Sequence, residues 1–345
     1  MTSTYLHNNK YTIESMQEKS ISTRIASLDY ARWIFASLVV IIHIPVIGGS
    51  YIMPIAYFAV PFFYMVTGYF LYDNTPAKIG MKITKALKNY LKIWVVSFVL
   101  LTSIVIIMKV IYSNPLGWSL KDITDLFVVF GNCQAAELVT IHGVSYGTSA
   151  LWFLYGGAIS LALLLGLKRW LFSKKLFFVV VALYYVSIFI NYRNGYVVPR
   201  TISASFIFLY VGMLSHKLVC EYGNLIKNRM MILLFITLVL IVGLYMEQIL
   251  FHCESYNRFV LLPASFSIFL AILKCKTRYG GAKWLQYIPV KCTLDIYIWH
   301  RFLYAVLVGV LGFNFHKMDA VVIFSLLSIV SFVMRRYICL NRCKL

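Results

Sequence analysis

Long apolar stretches separated by short polar segments are the main pattern along this chain. Each stretch is close to the ~20 residues that an α-helix needs to cross the hydrocarbon core of a bilayer. Ten such stretches can be counted, and the fifth, sixth and eighth are short with polar residues at their ends. Their approximate limits are residues 28–47, 52–72, 91–112, 150–167, 176–191, 199–216, 230–250, 258–273, 293–312 and 319–337. The pattern predicts an all-α, polytopic integral membrane protein with about ten transmembrane helices.

The Lys and Arg residues indicate how these predicted helices are oriented. Short cytoplasmic loops of membrane proteins carry an excess of both residue types. With the N-terminus in the cytoplasm, 24 of the 32 Lys and Arg residues fall in cytoplasmic segments. Both termini are therefore predicted to be cytoplasmic, with an N-terminal tail (residues 1–25), a membrane domain (residues 26–340) and a short C-terminal tail (residues 341–345).

Composition excludes several other classes of protein. The chain is 61% hydrophobic and 13% charged, with a mean hydropathy of +0.80, whereas soluble domains are about 25% charged. The net charge of +20 needs no nucleic-acid partner, since basic loops lie against anionic cytoplasmic lipid. The chain contains no P-loop, GxGxxG, HExxH or GxSxG motif, which excludes a nucleotide-driven pump, a zinc hydrolase and an α/β-hydrolase. No metal site is expected.

The longest predicted extracytoplasmic loop covers roughly residues 113–149. Loops of this length are uncommon without a function. Two interpretations stay open at this point, a segment that caps a site or contacts substrate and an ordered cover with no chemistry.

Three ionisable residues of the first predicted helix share one face. A helix turns ~100° and rises ~1.5 Å per residue, so Asp29, Arg32 and His43 lie within about 40° of one stripe, with roughly 16 Å between the last two. Ionisable groups at membrane depth usually face the bundle interior or a wet cavity. The stripe suits a substrate that enters from one side and reacts near the other. Taken singly, Arg32 could be an interfacial anchor paired with Asp29, and His43 a helix-end histidine without chemistry.

The first two predicted helices also carry the motifs of a known family. Arg32 and His43 are separated by ten residues, and Asp29 precedes Arg32 by three. This spacing resembles the opening signature of the membrane-bound acyltransferase-3 family, which includes the membrane halves of vancomycin-resistance serine racemases. Residues 60–71, Val-Pro-Phe-Phe-Tyr-Met-Val-Thr-Gly-Tyr-Phe-Leu, are similar to the family's Pro-Phe-Phe-Phe-x-x-Ser-Gly-Tyr-Phe-Leu, with Thr67 at the Ser position.

Three later segments extend the resemblance to residues 26–340. Residues 151–154, Leu-Trp-Phe-Leu, resemble the family's Leu-Trp-Phe-Leu element. Residues 200–212 begin with Arg, contain several Phe and end in Gly, as in a similar family segment. Residues 293–300, Thr-Leu-Asp-Ile-Tyr-Ile-Trp-His, resemble a Ser-x-x-Ile-Tyr-x-x-His element.

The resemblance implies transfer of an acyl group, often acetyl, from cytoplasmic acyl-coenzyme A (acyl-CoA) to a hydroxyl of a cell-surface or lipid-linked polysaccharide. It further implies that the acyl group is passed across the membrane. The implied location is the bacterial inner membrane. The implied partners are the bilayer, acyl-CoA as donor and a glycan acceptor, with no permanently bound cofactor. The oligomeric state is left open.

Acyl transfer also assigns roles to the stripe on the first helix. A base must take the hydroxyl proton, and His is suited because its unperturbed pKa lies near 6.5. We therefore predict that His43 is the general base. A guanidinium matches phosphate oxygens in a planar, bidentate way, so we predict that Arg32 contacts the donor and that Asp29 orients it.

Further candidates are assigned to substrate binding. Phe62, Phe63 and Trp152 are predicted to line an apolar channel for the pantetheine and acyl portions of the donor, and Thr67 belongs to the same motif. Simple packing is the alternative for the aromatic residues.

Two more positions complete the candidate set. Tyr297 and His300 are three residues apart, hence neighbours on one helix face, and could form a second hydrogen-bonding wall. Arg200, at an outer helix start, could bind an anionic acceptor. His300 as a structural hydrogen-bond donor and Arg200 as an interfacial anchor are the alternatives.

A rival function comes from the serine-racemase branch of the family. There the membrane half resembles this chain and is interpreted as a module that admits or transports substrate. No racemase domain follows residue 345, so two interpretations stay open, a self-sufficient chain and a fragment of a longer protein.

Overall fold

Helices make up almost all of the structure. The computed structural model describes residues 25–44, 46–112, 137–141, 144–147, 151–194, 200–251, 258–275, 292–313 and 318–342. Within this part of the chain the helices are α1 (Ala26–His43), α2 (Gly49–Ala56), α3 (Ala59–Leu71), α4 (Pro76–Tyr112), α5 (Trp152–Gly166), α6 (Lys174–Asn194), α7 (Arg200–Asn228), α8 (Met230–Phe251), α9 (Leu261–Lys274), α10 (Thr293–Tyr304) and α11 (Asp319–Arg342). A short π-helix, Ala305–Val310, continues α10. The predicted helical class is confirmed.

Every predicted span coincides with helix, the second of them with α2 and α3 together. In the described residues, five segments are long and apolar enough to cross a membrane. They are Ala26–His43, Gly49–Leu71, Pro76–Ile104, Ala204–Asn228 and Met230–Phe251. The helices α5 and α9 are apolar but shorter. The protein is therefore a helical membrane protein, while the count of ten crossings and the cytoplasmic termini stay predictions.

Helix α4 begins well before the apolar stretch that predicted it. The sequence placed residues 73–90 in a loop, whereas the structure has helix from Pro76 onward. Proline is favoured in the first turn of a helix, where its missing N–H needs no partner, and the Lys and Ala residues that follow are good helix formers. Hydropathy detects only the part of a helix that lies in lipid, so it missed these first turns.

A small hairpin is the exception to the helical pattern among the described residues. Strands β1 (Glu137–Ile141) and β2 (Val144–Gly147) pair antiparallel, with Ile141 opposite Val144. The hairpin belongs to the predicted loop 113–149 and lies beside α4 and the π-helix. Most of that loop, and nearly all of the two predicted tails, lie outside the described residues.

The core of the bundle is built on a close crossing of α3 and α7. A Cβ atom on Gly68 would overlap the backbone carbonyl of Leu209, and one on Gly212 would overlap the backbone of Met65. Small residues let helix backbones approach closely in membranes, where the hydrophobic effect does not drive helices together. The two glycines thus fix α3 in the centre, with Phe62, Tyr64, Met65 and Val66 fully buried.

Two helices at the periphery present large apolar side chains outward. On α6 these include Phe178 and Leu183, and on α8 they include Phe235 and Leu238, all highly exposed. Such continuous apolar exposure is costly in water. It is the arrangement expected of helices that face lipid.

Candidate functional site

The first half of α1 carries an ion pair at the edge of the bundle. One guanidinium nitrogen of Arg32 lies 3.3 Å from a carboxylate oxygen of Asp29, as the i, i+3 spacing predicted. Asp29 is 4% exposed, and the side chain of Arg32 retains 28% exposure. The guanidinium also lies over the Phe70 ring, 5.9 Å from its centroid. A buried carboxylate therefore holds a partly accessible guanidinium in one orientation.

A pair of hydroxyl groups lies near this guanidinium. The Thr67 hydroxyl donates to the backbone carbonyl of Phe63 (3.0 Å), and the Tyr90 hydroxyl lies 3.0 Å from Thr67 Oγ1. Because the only Thr67 hydroxyl proton is already engaged, Tyr90 donates to Thr67. The charge of Arg32 acts on the Tyr90 phenol. Thr67 thus joins the Arg32 end of the site through Tyr90, which the sequence did not single out.

The opposite end of α1 brings two histidines together. His43 is the last residue of the helix, and its ring stacks on the ring of His300 from α10, with centroids 5.2 Å apart and planes at 29°. The two residues are 257 positions apart in the sequence, and the sequence analysis assigned them to different parts of the site. The fold makes them one unit, because α10 packs directly on α1.

The hydrogen bonds of His300 define its tautomer. Its Nδ1 lies 2.7 Å from the backbone carbonyl of Tyr297 and 3.3 Å from that of Ile296. Carbonyls only accept, so Nδ1 carries the proton, and in the neutral ring Nε2 is then an acceptor. His300 is 0% exposed, and its Nε2 has no hydrogen-bond partner among the described residues. A buried, unsatisfied acceptor is costly and therefore uncommon. This nitrogen therefore has the capacity to accept one further hydrogen bond.

An aromatic cluster separates the two ends of the site. The ring centroid of Phe153 lies 5.0 Å from that of Tyr297, 6.2 Å from that of Phe63 and 6.1 Å from that of Tyr90. Tyr297 in turn lies 6.2 Å from His300. These rings form an unbroken apolar wall from Tyr90 to the histidines.

The remaining predicted residues divide between this wall and other locations. Phe63 and Tyr297 belong to the wall. Phe62 stacks on Phe35 (4.3 Å), meets the Phe63 ring edge-on (6.1 Å) and is buried in the core. Trp152 is half-buried against the core, and its neighbour Phe153 belongs to the wall. The side chain of Arg200, at the start of α7, lies outside the described residues.

The two residues that sequence reasoning missed left different signals. Phe153 is part of the quoted Leu-Trp-Phe-Leu segment, from which Trp152 was chosen, and the channel role of Trp152 stays a prediction. Tyr90 follows a run of lysines in a segment interpreted as a loop. Only the early start of α4, which the hydropathy did not show, places it in the bundle.

The arrangement places a charged group and two imidazoles at opposite ends of α1. The Arg32 end offers a partly exposed guanidinium, and the His43 end offers imidazole nitrogen in an enclosed setting. No group of three His, Cys, Asp or Glu residues that could hold a metal ion occurs in the part of the chain that the structure describes.

Comparison with known proteins gives a match to a family model. No curated protein and no solved structure gave a significant match. A sequence model of one family, described as an acyltransferase domain, matches residues 25–334. That range includes both ends of the site, the aromatic wall and nearly every helix. The chain belongs to the acyltransferase-3 family.

Proposed function

We propose that this protein transfers an acyl group, acetyl in the simplest case, from cytoplasmic acyl-CoA to a hydroxyl of a cell-surface or lipid-linked polysaccharide at the bacterial inner membrane. His43 is the general base and Arg32 binds the donor. The observation that carries the proposal is the stacked pair of His43 and His300, with His300 Nε2 buried and without a partner in the described residues. Family membership supports acyl transfer, and the pair supplies a place for its proton chemistry.

The reaction assigned to this pair balances as follows. The acceptor hydroxyl gives its proton to an imidazole nitrogen of His43 while the hydroxyl oxygen forms a bond to the thioester carbonyl carbon. The carbon–sulfur bond then breaks, and the thiolate of coenzyme A leaves with the electron pair. Return of the proton from the imidazolium to the thiolate regenerates neutral His43. The products are an ester and free coenzyme A.

His300 acts as a positioning residue in this scheme. Its Nδ1–H bond to the Tyr297 carbonyl fixes the ring against His43, and its Nε2 accepts a hydrogen bond from the acceptor. Holding a reactant in the correct orientation lowers the barrier because the entropy is lost before the reaction. His300 is expected to govern acceptor binding, and His43 the rate of the chemical step.

Arg32 and Asp29 assign the opposite end of α1 to the donor. The guanidinium can take two oxygens of a donor phosphate at once, while Asp29 keeps it aimed. The wall formed by Phe63, Phe153 and Tyr297 is apolar and suits the acyl and pantetheine portions. In the predicted orientation this donor end lies toward the cytoplasm and the histidines lie toward the outer side.

The test replaces the histidines one at a time. His43→Gln preserves size and hydrogen bonding but removes the titratable nitrogen. General bases contribute about 10²- to 10⁴-fold, so this variant should insert normally yet leave the surface glycan essentially unacylated. Mass spectrometry of the glycan, normalised to protein level, measures the outcome.

A third histidine provides the matched control. His216 also uses Nδ1 to contact a backbone carbonyl, that of Tyr69 at 2.8 Å, and stacks on two tyrosine rings, but it lies away from the pair. His216→Gln should retain acylation within about threefold, well short of a general-base effect. If His43→Gln keeps more than about a tenth of wild-type acylation, His43 is not the base, and His300 becomes the candidate.

A further inference from the structure

A basic groove lies where the first turns of α4 meet the end of α5. It encloses about 670 Å³ and is lined by Lys85, Lys88 and Lys168, together with Thr84 and Asn89. Binding sites for small molecules commonly measure about 300–1,000 Å³. The groove thus has the size of a ligand site, and none of the rings of the aromatic wall lines it.

The positive charge of this groove is available to a ligand. Lys85 and Lys88 are three residues apart and share one face of α4, while Lys168 approaches from the turn that follows α5. All three are exposed, none of the residues that line the groove is acidic, and no carboxylate in the described part of the chain pairs with them.

A neighbouring lysine shows the contrast. Lys82 lies 3.1 Å from a carboxylate oxygen of Asp73 and donates to the backbone carbonyl of Tyr72 at 2.7 Å. Its charge is used within the protein, and it does not line the groove. Lys82 therefore supports the fold, while Lys85 and Lys88 face the groove.

One lining residue of the groove is the sequence neighbour of a residue in the candidate active site. Asn89 lines it, and the next residue, Tyr90, donates to Thr67 at 3.0 Å and lies within electrostatic reach of Arg32. The Tyr90 ring then contacts Phe153, the start of the aromatic wall. The groove and the start of the aromatic wall are therefore neighbours along α4.

We propose that this groove binds the phosphate groups of the acyl-CoA donor, an assignment that rests on the proposed function. Lysine is a common phosphate ligand, and three lysines facing one groove match the several phosphate charges of the nucleotide end. The thioester arm then follows the aromatic wall. Phospholipid headgroups offer the same phosphate chemistry, but the position of Asn89 next to Tyr90 on α4 favours a ligand that also reaches the candidate active site.

The test compares two triple variants of the full-length protein in nanodiscs of neutral phosphatidylcholine. One carries Lys85→Gln, Lys88→Gln and Lys168→Gln. The control carries Lys174→Gln, Lys175→Gln and Lys227→Gln, which removes three exposed lysines that do not line the groove. Binding of coenzyme A and of pantetheine is measured by calorimetry, and binding of phosphatidylglycerol by native mass spectrometry.

The groove variant should bind coenzyme A at least about tenfold more weakly, equal to about 1.4 kcal/mol, and bind pantetheine as the wild type does. The control should match the wild type with both ligands. In the wild-type protein itself, rising salt should weaken binding of coenzyme A but not of pantetheine, because salt screens exposed charges. This last measurement needs no substitution and is independent of any effect on folding.

Two results overturn the proposal in distinguishable ways. If the groove variant binds coenzyme A normally, or loses only phosphatidylglycerol, the groove is not the donor's phosphate site and the proposed function stands. If the wild type binds no coenzyme A, the donor of the proposed function is wrong, and the groove assignment fails with it.

Discussion

The two ends of α1 differ in how their polar groups are satisfied. At one end Arg32 and Asp29 pair with each other and stay partly open. At the other end His43 and His300 stack ring on ring, and His300 Nε2 lacks a partner among the described residues. An accessible charge suits recognition of an anion, whereas an enclosed acceptor suits binding of a substrate hydroxyl beside the proposed base. In the proposed function, one helix thus holds donor binding and proton transfer about 16 Å apart along its axis.

The largest effect is expected where α3 crosses α7 between these two ends. Gly68→Ala places a methyl group on the Leu209 carbonyl and should destabilise the fold by about 3 kcal/mol or more, at the upper end of overpacking costs. Gly166→Ala is the control, since a Cβ there meets nothing within 4 Å. Yield of monodisperse protein and thermal unfolding measure both. Equal stability of the two variants would show that the crossing does not hold the ends together.

The sequence predicted the Arg32 end better than the His43 end. Asp29 and Arg32 are three residues apart on one helix, so their contact follows from helical geometry alone. The contact of His43 with His300 depends on how α10 packs on α1, which no local pattern encodes. Family motifs named both histidines but could not show that they touch.

Local sequence patterns also failed to show where α4 begins and which aromatic residues contact one another in the wall. Hydropathy located helix in every predicted span, because apolar length is a direct physical requirement. It placed the start of α4 too late, since a helix that leaves the membrane loses its apolar signal. Tyr90 was missed for that reason. Phe153 was missed because neighbouring residues on a helix point in different directions, and only packing decides which faces the site.

In the aromatic wall that links the two ends, replacing Phe153 should lower activity more than replacing its neighbour Trp152. Phe153→Leu removes contacts with Phe63, Tyr90 and Tyr297, each worth about 0.5–1.5 kcal/mol. Turnover should therefore fall about three- to tenfold, which corresponds to the free energy of about one such contact. The matched variant Trp152→Leu should stay within about twofold of wild type, below one such contact. A larger loss from Trp152→Leu, measured as acylation per folded protein, would return the channel role to Trp152.

A smaller effect is expected from the carboxylate that orients the donor group. Asp29→Asn keeps the shape but removes the charge beside Arg32. Hydrogen bonds to charged groups contribute about 1.5–3 kcal/mol, and the partial exposure of Arg32 reduces this, so KM for acyl-CoA should rise about fivefold. The value of kcat should be unchanged. A fall in kcat with normal KM would place Asp29 in the chemical step.

The smallest effect should come from an ion pair outside both ends. Arg335 holds Asp295 through two nitrogens at 2.5 and 2.6 Å, a bidentate arrangement that ties α11 to α10. Both side chains are partly exposed, so Asp295→Asn should lower Tm by a few degrees, consistent with about 1 kcal/mol or less. The values of kcat and KM should be those of the wild type. Lost activity in the folded variant would mean that this pair also positions His300.

Steady-state kinetics of Arg32→Lys and His43→Gln, measured side by side with acetyl-CoA and a glycan acceptor, test the separation of functions most directly. Arg32→Lys keeps the charge but loses the bidentate fork, so KM for acetyl-CoA should rise about tenfold with kcat within about threefold, as expected when ground-state binding is lost. His43→Gln should lower kcat by about 10²- to 10⁴-fold and leave that KM unchanged. The account is contradicted if Arg32→Lys lowers kcat at unchanged KM, or if His43→Gln turns over normally.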